Sequence, residues 1–456
     1  MERHGFDGGI AVEGRVVEQG DADYEHIRTT MVWNGVKPTR QPDVIVRAAS
    51  ERDVLAAVHL ARSRGLRVAL RSGGHNWCGS PLRDGGLLLD LSGLRECVVD
   101  PQTRTATVGP GVIGRELVPK LARYGLAFSS GHCGSVAVGG YLLSGGLGWD
   151  PGRWGPACAG VRGIEAVTAD GTQVHCDLVE HPDLFWAARG AGPGFFAAVT
   201  AFRLALHPLS TAITTTAYVF PVTEAGTVAR WAMDAAVELP PGVELSFVLA
   251  AADPGTGQPV VTLTATAFAD STTEAADWLG PVRVCPLADR ALSHQTDEPT
   301  SMDALYAGST TLWPENHRYA ADTMWSSEDL TTLLPRLGTA VATAPSAKSL
   351  VLVPVAPASR NPALWQDMAF SALGESYAVP YAIWTDPDDD EANVRWLRET
   401  TETMAPLATG HYIAEADLTA APTRAERSFT PSAWQRLCHL RTEFDPQGLF
   451  HSYLTP

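Results

Sequence analysis

The spacing of apolar and polar positions changes period several times in the first half of the chain. VIVRA (45–49) is a short β-branched run, and ERDVLAAVHLARSRG (51–65) spaces its apolar residues helically and stops at a glycine. LRVALRSGG (66–74) then returns to a strand pattern. This predicts a β-α-β unit that ends in glycines. Short strands follow in GLLLDLSGL, CVVD, TATVGPG and GIEAVTADGTQVHC, with one helical segment, GRELVPKLARYG (114–125), among them. Residues from about 42 to 206 are expected to form one α+β unit.

Beyond His207-Pro208 the alternating runs lengthen: TAITTTAYVF (211–220), VELSFVLAAA (243–252), PVVTLTATAFAD (259–270), SLVLVPVAP (349–357) and YAVPYAIWT (377–385). Helical segments such as TEAGTVARWAMDAAVEL (223–239) intervene, which predicts an antiparallel sheet with helices on one face. DDDEANVRWLRETTETMAPLA opens with four acidic residues, suited to a helix N-terminus. PSAWQRLCHLRTEFDPQGLF reads as a helix stopped by Asp-Pro that packs back on the first unit. Alternation in AVPYAIW sets Tyr381 with Val379 and Ile383 on one face, and Pro380, Ala382 and Trp384 on the other. Trp313, Tyr319, Trp325, Tyr381 and Trp384 are candidates for stacking on a substrate ring.

Composition narrows the classes. The 456 residues are 45% hydrophobic and 19% charged with a net charge of −17, which fits a core-forming chain and excludes disordered and disulfide-framework classes. The acidic balance argues against nucleic acid or an anionic membrane as partner, since both need clustered Lys and Arg. A small molecule is expected instead. The seven cysteines form no C-x-x-C pair, so neither a metal site nor a redox dithiol is expected. No apolar stretch reaches the ~18 residues of a membrane helix. The first residues are charged throughout, and the expected location is the cytoplasm.

Glycine carries the strongest chemical signal. RSGGHNW (71–77) follows a strand, and GHCGSVAVGGYLLSGGLGW (131–149) is glycine-dense. Missing Cβ atoms let backbone amides approach a phosphate or a planar ring. GAGPG (190–194) is not G-x-G-x-x-G opening a helix, so the nicotinamide-dinucleotide fingerprint is absent.

From about Trp33 to Pro456, the order of motifs resembles the berberine-bridge-enzyme-like, FAD-linked oxidases of the vanillyl-alcohol-oxidase / p-cresol methylhydroxylase superfamily. The resemblance rests on RSGGHNW, LRDGGLLLDLSGL (82–94), TRTATVGPG (103–111), GHCGSVAVGG with SGGLGW, RWGPACAGVRGIEAVTADG (153–171), HPDLFWAARGAGPGFF (181–196), WTDPDDDEA (384–392) and FDPQGLF (444–450). It implies a two-domain α+β FAD-linked oxidase fold. An FAD-binding domain would cover 1–206, a substrate domain with antiparallel sheet and helices 207–417, and a C-terminal segment, 418–456, would return to the first domain.

The resemblance also implies site residues. The FAD diphosphate would lie along the amides of 71–76 and 131–135. His75 would be bonded to the 8α-methyl of the flavin ring and Cys133, in C-x-x-V-x-x-G-G, to its 6-position, a bicovalent attachment. Arg71, Ser72, Gly73, Gly74, Asn76, Gly111, Gly131, Gly134, Ser135, Val136, Gly139, Gly140, Gly145, Gly146, Gly155 and Ile164 complete the expected cofactor set. Val136, a small β-branched residue three after the cysteine, implies room for dioxygen near the flavin and hence an oxidase. The implied reaction is hydride removal from a bulky small molecule (sugar, alkaloid, polyketide or phenolic) with hydrogen peroxide as by-product, in secondary-metabolite tailoring. Tyr412 in GHYIAEAD (410–417) matches a tyrosine base, although Ala414 stands where relatives carry Asn. Glu375, Tyr377 and Tyr453 are the other candidate catalytic residues.

Three alternatives accompany this reading. One is a flavin dehydrogenase that uses another acceptor. Another is a metabolite-binding flavoprotein without turnover. The third is a thiol nucleophile at Cys133 with His132 as base, which adjacent positions on an extended segment disfavour.

Overall fold

The computed structural model of the chain describes residues 4–5, 11–355 and 361–455; the last two residues of the strand expected over 349–357 lie outside them. The first β-α-β unit forms as the pattern predicts. Its four-stranded sheet runs in the order Arg15–Glu18, Val44–Arg47, Leu87–Asp90, Val68–Arg71, with Leu87–Asp90 parallel to both neighbours. All of Leu87–Asp90 is buried, because each face has a cover. Leu87 and Leu89 pack with Val54, Val58 and Ala61 of the helix Glu51–Arg64. Leu88 and Ile45 pack with Tyr24 and Ile27 of the helix Tyr24–Thr30. Gly65 ends the longer helix at φ 65°, a left-handed cap that glycine adopts without strain.

Antiparallel strands Gln173–Cys176, Val161–Val167, Ala198–Ala205, Thr105–Val108 and Cys97–Asp100 form a second sheet, in that order. The end of the chain joins the first sheet: Phe450 bridges to Val68 and shares its core.

The second half builds a nine-stranded sheet whose pairings among the described residues are all antiparallel. Phe247, Leu249, Val351 and Val353 on one face meet the helices Ala225–Ala236 and Leu330–Val341. Val248, Leu352, Tyr377, Val379 and Tyr381 on the other face turn toward the first half of the chain. The strand Ser376–Trp384 is buried at every residue. Its odd positions enter this junction, while Ala382 and Trp384 lie against Trp396 and Leu397 of the helix Asp390–Met404. The face that carries Tyr381 is therefore the one that looks inward. No helix among the described residues is long and apolar enough to cross a membrane.

Buried polar residues fix how the halves meet. Asn34, 1% exposed, donates to the carbonyls of Trp77 and Tyr319 at 3.0 and 2.8 Å and accepts from the Tyr319 amide at 2.9 Å. The His132 ring hydrogen-bonds Glu244 at 2.7 Å, and Glu244 also accepts from the Asp150 amide at 3.2 Å. Asp90, with no exposed surface, accepts from Arg71 at 2.8 Å and from the Ser92 hydroxyl at 2.9 Å. Arg71 in turn donates to the carbonyls of Gly73 and Met31, both at 3.2 Å. This pair holds the RSGGH loop in its bent path.

Removing one partner of a buried ion pair leaves the other charge uncompensated. Asp90→Ala should therefore lower unfolding free energy by about 3–5 kcal/mol in urea titration. Arg95→Ala, which breaks an exposed pair with Glu116, should cost under about 1 kcal/mol. Equal losses would contradict the anchoring role of Asp90.

Candidate functional site

A cavity of about 280 Å³ lies at the junction of the two halves. One wall is glycine backbone. A Cβ on Gly73 would come within 2.8 Å of the Ala137 Cβ, and one on Gly139 within 2.4 Å of the Ser72 Oγ. The 71–77 and 131–140 segments are thus pressed against each other, and Gly140, which also lines the cavity, has nothing within 4 Å of its Cβ position. The Arg71 guanidinium is engaged by Asp90 and by backbone carbonyls, which leaves backbone amides as the donors for a phosphate.

His75 carries an open valence. Its ring stacks on Trp33 at 4.7 Å, and its Nε2 is buried without a hydrogen-bond partner. Burial, then the charge of Arg71, pushes its pKa down to about 3, against a backbone hydrogen bond to Ser135 that pulls upward. The imidazole is therefore neutral and has a free lone pair in a cavity wall. A buried polar atom left without a partner costs free energy, so the site is built for a group that bonds there. FAD fits this requirement: the glycine wall admits its diphosphate and the free imidazole its ring. Cys133 lines the same cavity as a free, partly buried thiol. Burial, and then the charge of Glu415, pushes that thiol up to about 12.

His132 does not serve Cys133 as a base. Its Nε2 is bonded to Glu244, and its ring lies against Trp149 at 4.2 Å. Burial alone would depress its pKa, but the charge and hydrogen bond of Glu244 outweigh this and raise it. The thiol-nucleophile alternative therefore lacks its proton acceptor.

The opposite wall is aromatic around one carboxylate. Glu415 Oε2 accepts from the Tyr377 hydroxyl at 2.9 Å, and its Oε1 accepts from the Tyr381 hydroxyl at 2.6 Å and the Trp77 indole at 3.3 Å. Among the described residues that line the cavity, Glu415 is the one carboxylate. Burial, reinforced by Glu415, raises both phenols well above their usual range, so their protons stay on oxygen and point at the carboxylate. Trp77 stands edge-on to both Trp33 and Tyr381, at 5.8 and 5.5 Å, and joins this wall to His75.

Local backbone chemistry places Glu415. The amides of Glu415 and Ala416 both donate to the Tyr412 carbonyl, at 3.1 and 2.9 Å, a turn that brings Tyr412 and Glu415 into one cavity lining. The turn is moored on buried partners. The Tyr412 amide donates to the Thr323 hydroxyl at 2.8 Å, and the Asp417 amide to Asp322 at 3.1 Å. Asp322 is itself paired with Arg424 at 2.6 Å.

The candidate catalytic residues divide. Tyr377 and Tyr412 line the cavity. Tyr412 oxygen accepts from the Gly146 amide at 2.9 Å, and burial, then Glu415, raises its pKa; it is a neutral phenol seated on backbone. Glu375 is exposed in the bend before Ser376–Trp384 and lies off the cavity. Tyr453 is also off it: the ring fills the space above Gly194 and packs on Phe429 and Trp434, and its hydroxyl donates to the Ala191 carbonyl at 2.8 Å. Both are corrections, the first from solvent exposure and the second from core packing.

The expected cofactor residues divide too. Arg71 to Asn76, Gly131, Cys133, Val136, Gly139 and Gly140 line the cavity. Gly111, Gly134, Ser135, Gly145, Gly146, Gly155 and Ile164 lie outside its lining. A Cβ at Gly111 would strike the Ser92 carbonyl at 2.4 Å, so the close approach of two turns accounts for that glycine. Ile164 is a core residue paired between Cys176 and Phe202. Of the aromatic candidates, Trp313 and Tyr381 reach the cavity, whereas Tyr319, Trp325 and Trp384 are buried beside or behind it. Sequence reasoning missed Glu415, Trp33 and Trp77. The available signals were the one-turn spacing of Glu415 from Tyr412 and the position of Trp77 directly after the glycine loop.

Comparison with known proteins agrees with this geometry. Residues 42–177 match the FAD binding domain family FAD_binding_4. The chain is 31% identical over 440 residues to the FAD-linked oxidoreductase nodO of Hypoxylon pulicicidum, covering 93% of each. It is 36% identical over 200 residues to (R)-6-hydroxynicotine oxidase of Paenarthrobacter nicotinovorans, covering 44% of this chain and 43% of that one. Berberine bridge enzyme from Eschscholzia californica superposes with a TM-score of 0.81 at 18% identity, covering 97% of this chain and 96% of that one. Berberine bridge enzyme thus shares the fold, and on a glycine-walled cavity, a free imidazole and a match along nearly the whole chain, this protein belongs to the FAD-linked oxidoreductases.

Proposed function

We propose that the chain is a flavin oxidase that holds FAD through both His75 and Cys133, removes a hydride from a bulky small molecule, and passes the electrons to dioxygen to give hydrogen peroxide. The observation that carries this reading is the pairing, in one cavity, of a buried imidazole nitrogen without a partner and a carboxylate that collects two phenol protons. A relative named as an oxidase supports it. FAD bound there supplies the two-electron acceptor.

The chain's own residues position the substrate and handle its proton. Trp33 packs on the His75 ring and keeps it in plane. Glu415 is the proton acceptor in place of the tyrosine expected from sequence, since Tyr412 already accepts from Gly146 and its phenol is raised. A substrate O–H or N–H gives its proton to Glu415 directly, or to the oxygen of Tyr377 or Tyr381 as that phenol passes its own proton to the carboxylate. Val136 lines the cavity close to Cys133, its amide donating to the Cys133 carbonyl at 3.1 Å, and its short side chain leaves space for dioxygen.

Three outcomes follow from this assignment. Acid-precipitated protein should keep its yellow colour, His75→Ala and Cys133→Ala should each retain one link by mass of the denatured chain, and the double variant should release all flavin; colour found wholly in the supernatant of the native protein would contradict the attachment. Glu415→Gln should lower kcat by about 10²–10⁴-fold, with Tyr453→Phe near the native rate; the reverse order would return the base to Tyr453. Val136→Leu should slow reoxidation by dioxygen in stopped flow but leave anaerobic reduction by substrate unchanged. If both half-reactions slow equally, Val136 does not shape the oxygen pocket.

A further inference from the structure

We infer that Glu244 and Tyr306 are positioning residues for the second flavin attachment: reaching across from the second half of the chain, they hold the segment that carries Cys133. This rests on the proposed double attachment. The two attachment points are supported differently. His75 leans on its own half of the chain. Its ring stacks on Trp33, the Trp33 amide donates to the Gly74 carbonyl at 2.9 Å, and the Arg71–Asp90 pair sets the path of the loop.

Cys133 is gripped on both sides from the other half. One residue before it, the His132 ring meets Glu244 Oε1 at 2.7 Å. Glu244 belongs to the strand Val243–Ala250, and its side chain is 10% exposed. Its Oε2 accepts from the Asp150 amide at 3.2 Å, so both oxygens are engaged and the carboxylate has a fixed orientation. One residue after Cys133, Gly134 lies under the Tyr306 ring, where a Cβ would come within 3.2 Å of it. Tyr306, 8% exposed, stands on the helix Met302–Leu312, and its hydroxyl shares a 2.8 Å hydrogen bond with the Ser130 hydroxyl. The first half holds the segment at its ends: the Ser130 carbonyl accepts from the Trp149 amide at 3.0 Å, and the Gly134 carbonyl from the Arg115 amide at 2.8 Å. Between those ends, the ion pair that pins the neighbour of Cys133 comes from Glu244.

Placement matters because of the bond to be made. Attachment joins Cys133 Sγ to carbon 6 of the flavin ring. The S–H bond and the C–H bond break, two protons and two electrons leave for the cofactor, and dioxygen takes them up as hydrogen peroxide. Burial and the charge of Glu415 keep the thiol protonated near neutral pH, so thiolate is scarce and the protein's contribution is to place the sulfur. A displacement of about 1 Å can slow such a step by about 10²-fold. Without Glu244 the His132 side chain loses its anchor, and the sulfur one residue away moves with the backbone. A contact that only stabilised the junction would weaken the fold without distinguishing the links, whereas a positioning contact governs one link and spares the other.

The test counts links in the holoprotein. The denatured chain is alkylated with iodoacetamide, which marks Cys133 only where no flavin is bonded to it, and peptide mass reports flavin on His75. In native protein Cys133 should be blocked. Glu244→Ala should expose Cys133 to alkylation in most chains and keep flavin on His75, whose presence in the same molecules reports an intact cradle. Glu244→Gln, whose amide still accepts from Asp150 and donates to His132, should restore the blocked state. Tyr306→Phe loses the bond to Ser130 but keeps the ring over Gly134, and should raise the alkylated fraction by less than Glu244→Ala does. Cys133 blocked in Glu244→Ala as fully as in native protein would overturn the inference, and so would parallel loss of both links. If Glu244→Ala yields no folded protein, the milder Tyr306→Phe decides, and an unchanged alkylated fraction there overturns the inference. Native protein with flavin on His75 and an alkylated Cys133 would instead overturn the double attachment itself, and this inference with it.

Discussion

A part-buried carboxylate set between two halves of a protein is held by donors from both, and Glu415 is held in this way. Trp77 reaches it from the glycine-loop side, and Tyr377 and Tyr381 from the long sheet. Each hydrogen bond to a charged acceptor is stronger than a neutral one, and losing any donor would leave desolvated charge behind. The same contacts that satisfy Glu415 therefore hold the halves in register, so the packing that closes the cavity and the chemistry inside it are one arrangement. Asn34 and the His132–Glu244 pair repeat this logic at two further points of the junction.

The two walls divide the work. On the first, Asp90 fixes Arg71, Arg71 fixes the path of 71–77, and the closely pressed glycine segments leave amides and one imidazole toward the cavity. Positive charge is tied up beneath the surface, so a phosphate would be met by backbone dipoles. On the second wall, raised phenols keep their protons and direct them at a single carboxylate. In the proposed function an electron acceptor sits on the first wall and a proton acceptor on the second, the separation that two-electron oxidation of a substrate with a proton to lose requires.

Much of this fold could be read from the sequence, because its strongest patterns are local. The β-α-β unit of residues 45–74, the long alternating strands after residue 207 and the two glycine segments owe their form to neighbours within a few residues. The edge strand Ser293–Thr300, SHQTDEPT, could not be read so. It is mostly exposed and owes its form to pairing with Ala212–Pro221, with no apolar period to show it. The inward face of Ser376–Trp384 was also hidden, since a strand covered on both sides shows no polar alternation. Glu415 escaped notice for a related reason: its meaning comes from Trp77, 338 positions away. Tyr453 and Glu375 misled in the opposite direction, as chemically capable side chains that packing and exposure remove from the cavity.

The central claim is that flavin and carboxylate meet in one space, and a crystal structure of the holoprotein tests it most directly. The account predicts electron density continuous from the ring edge to both His75 and Cys133, with the Glu415 carboxylate facing the ring across the same cavity. Density for the flavin ring elsewhere, or a ring walled off from Glu415 by other side chains, would contradict it.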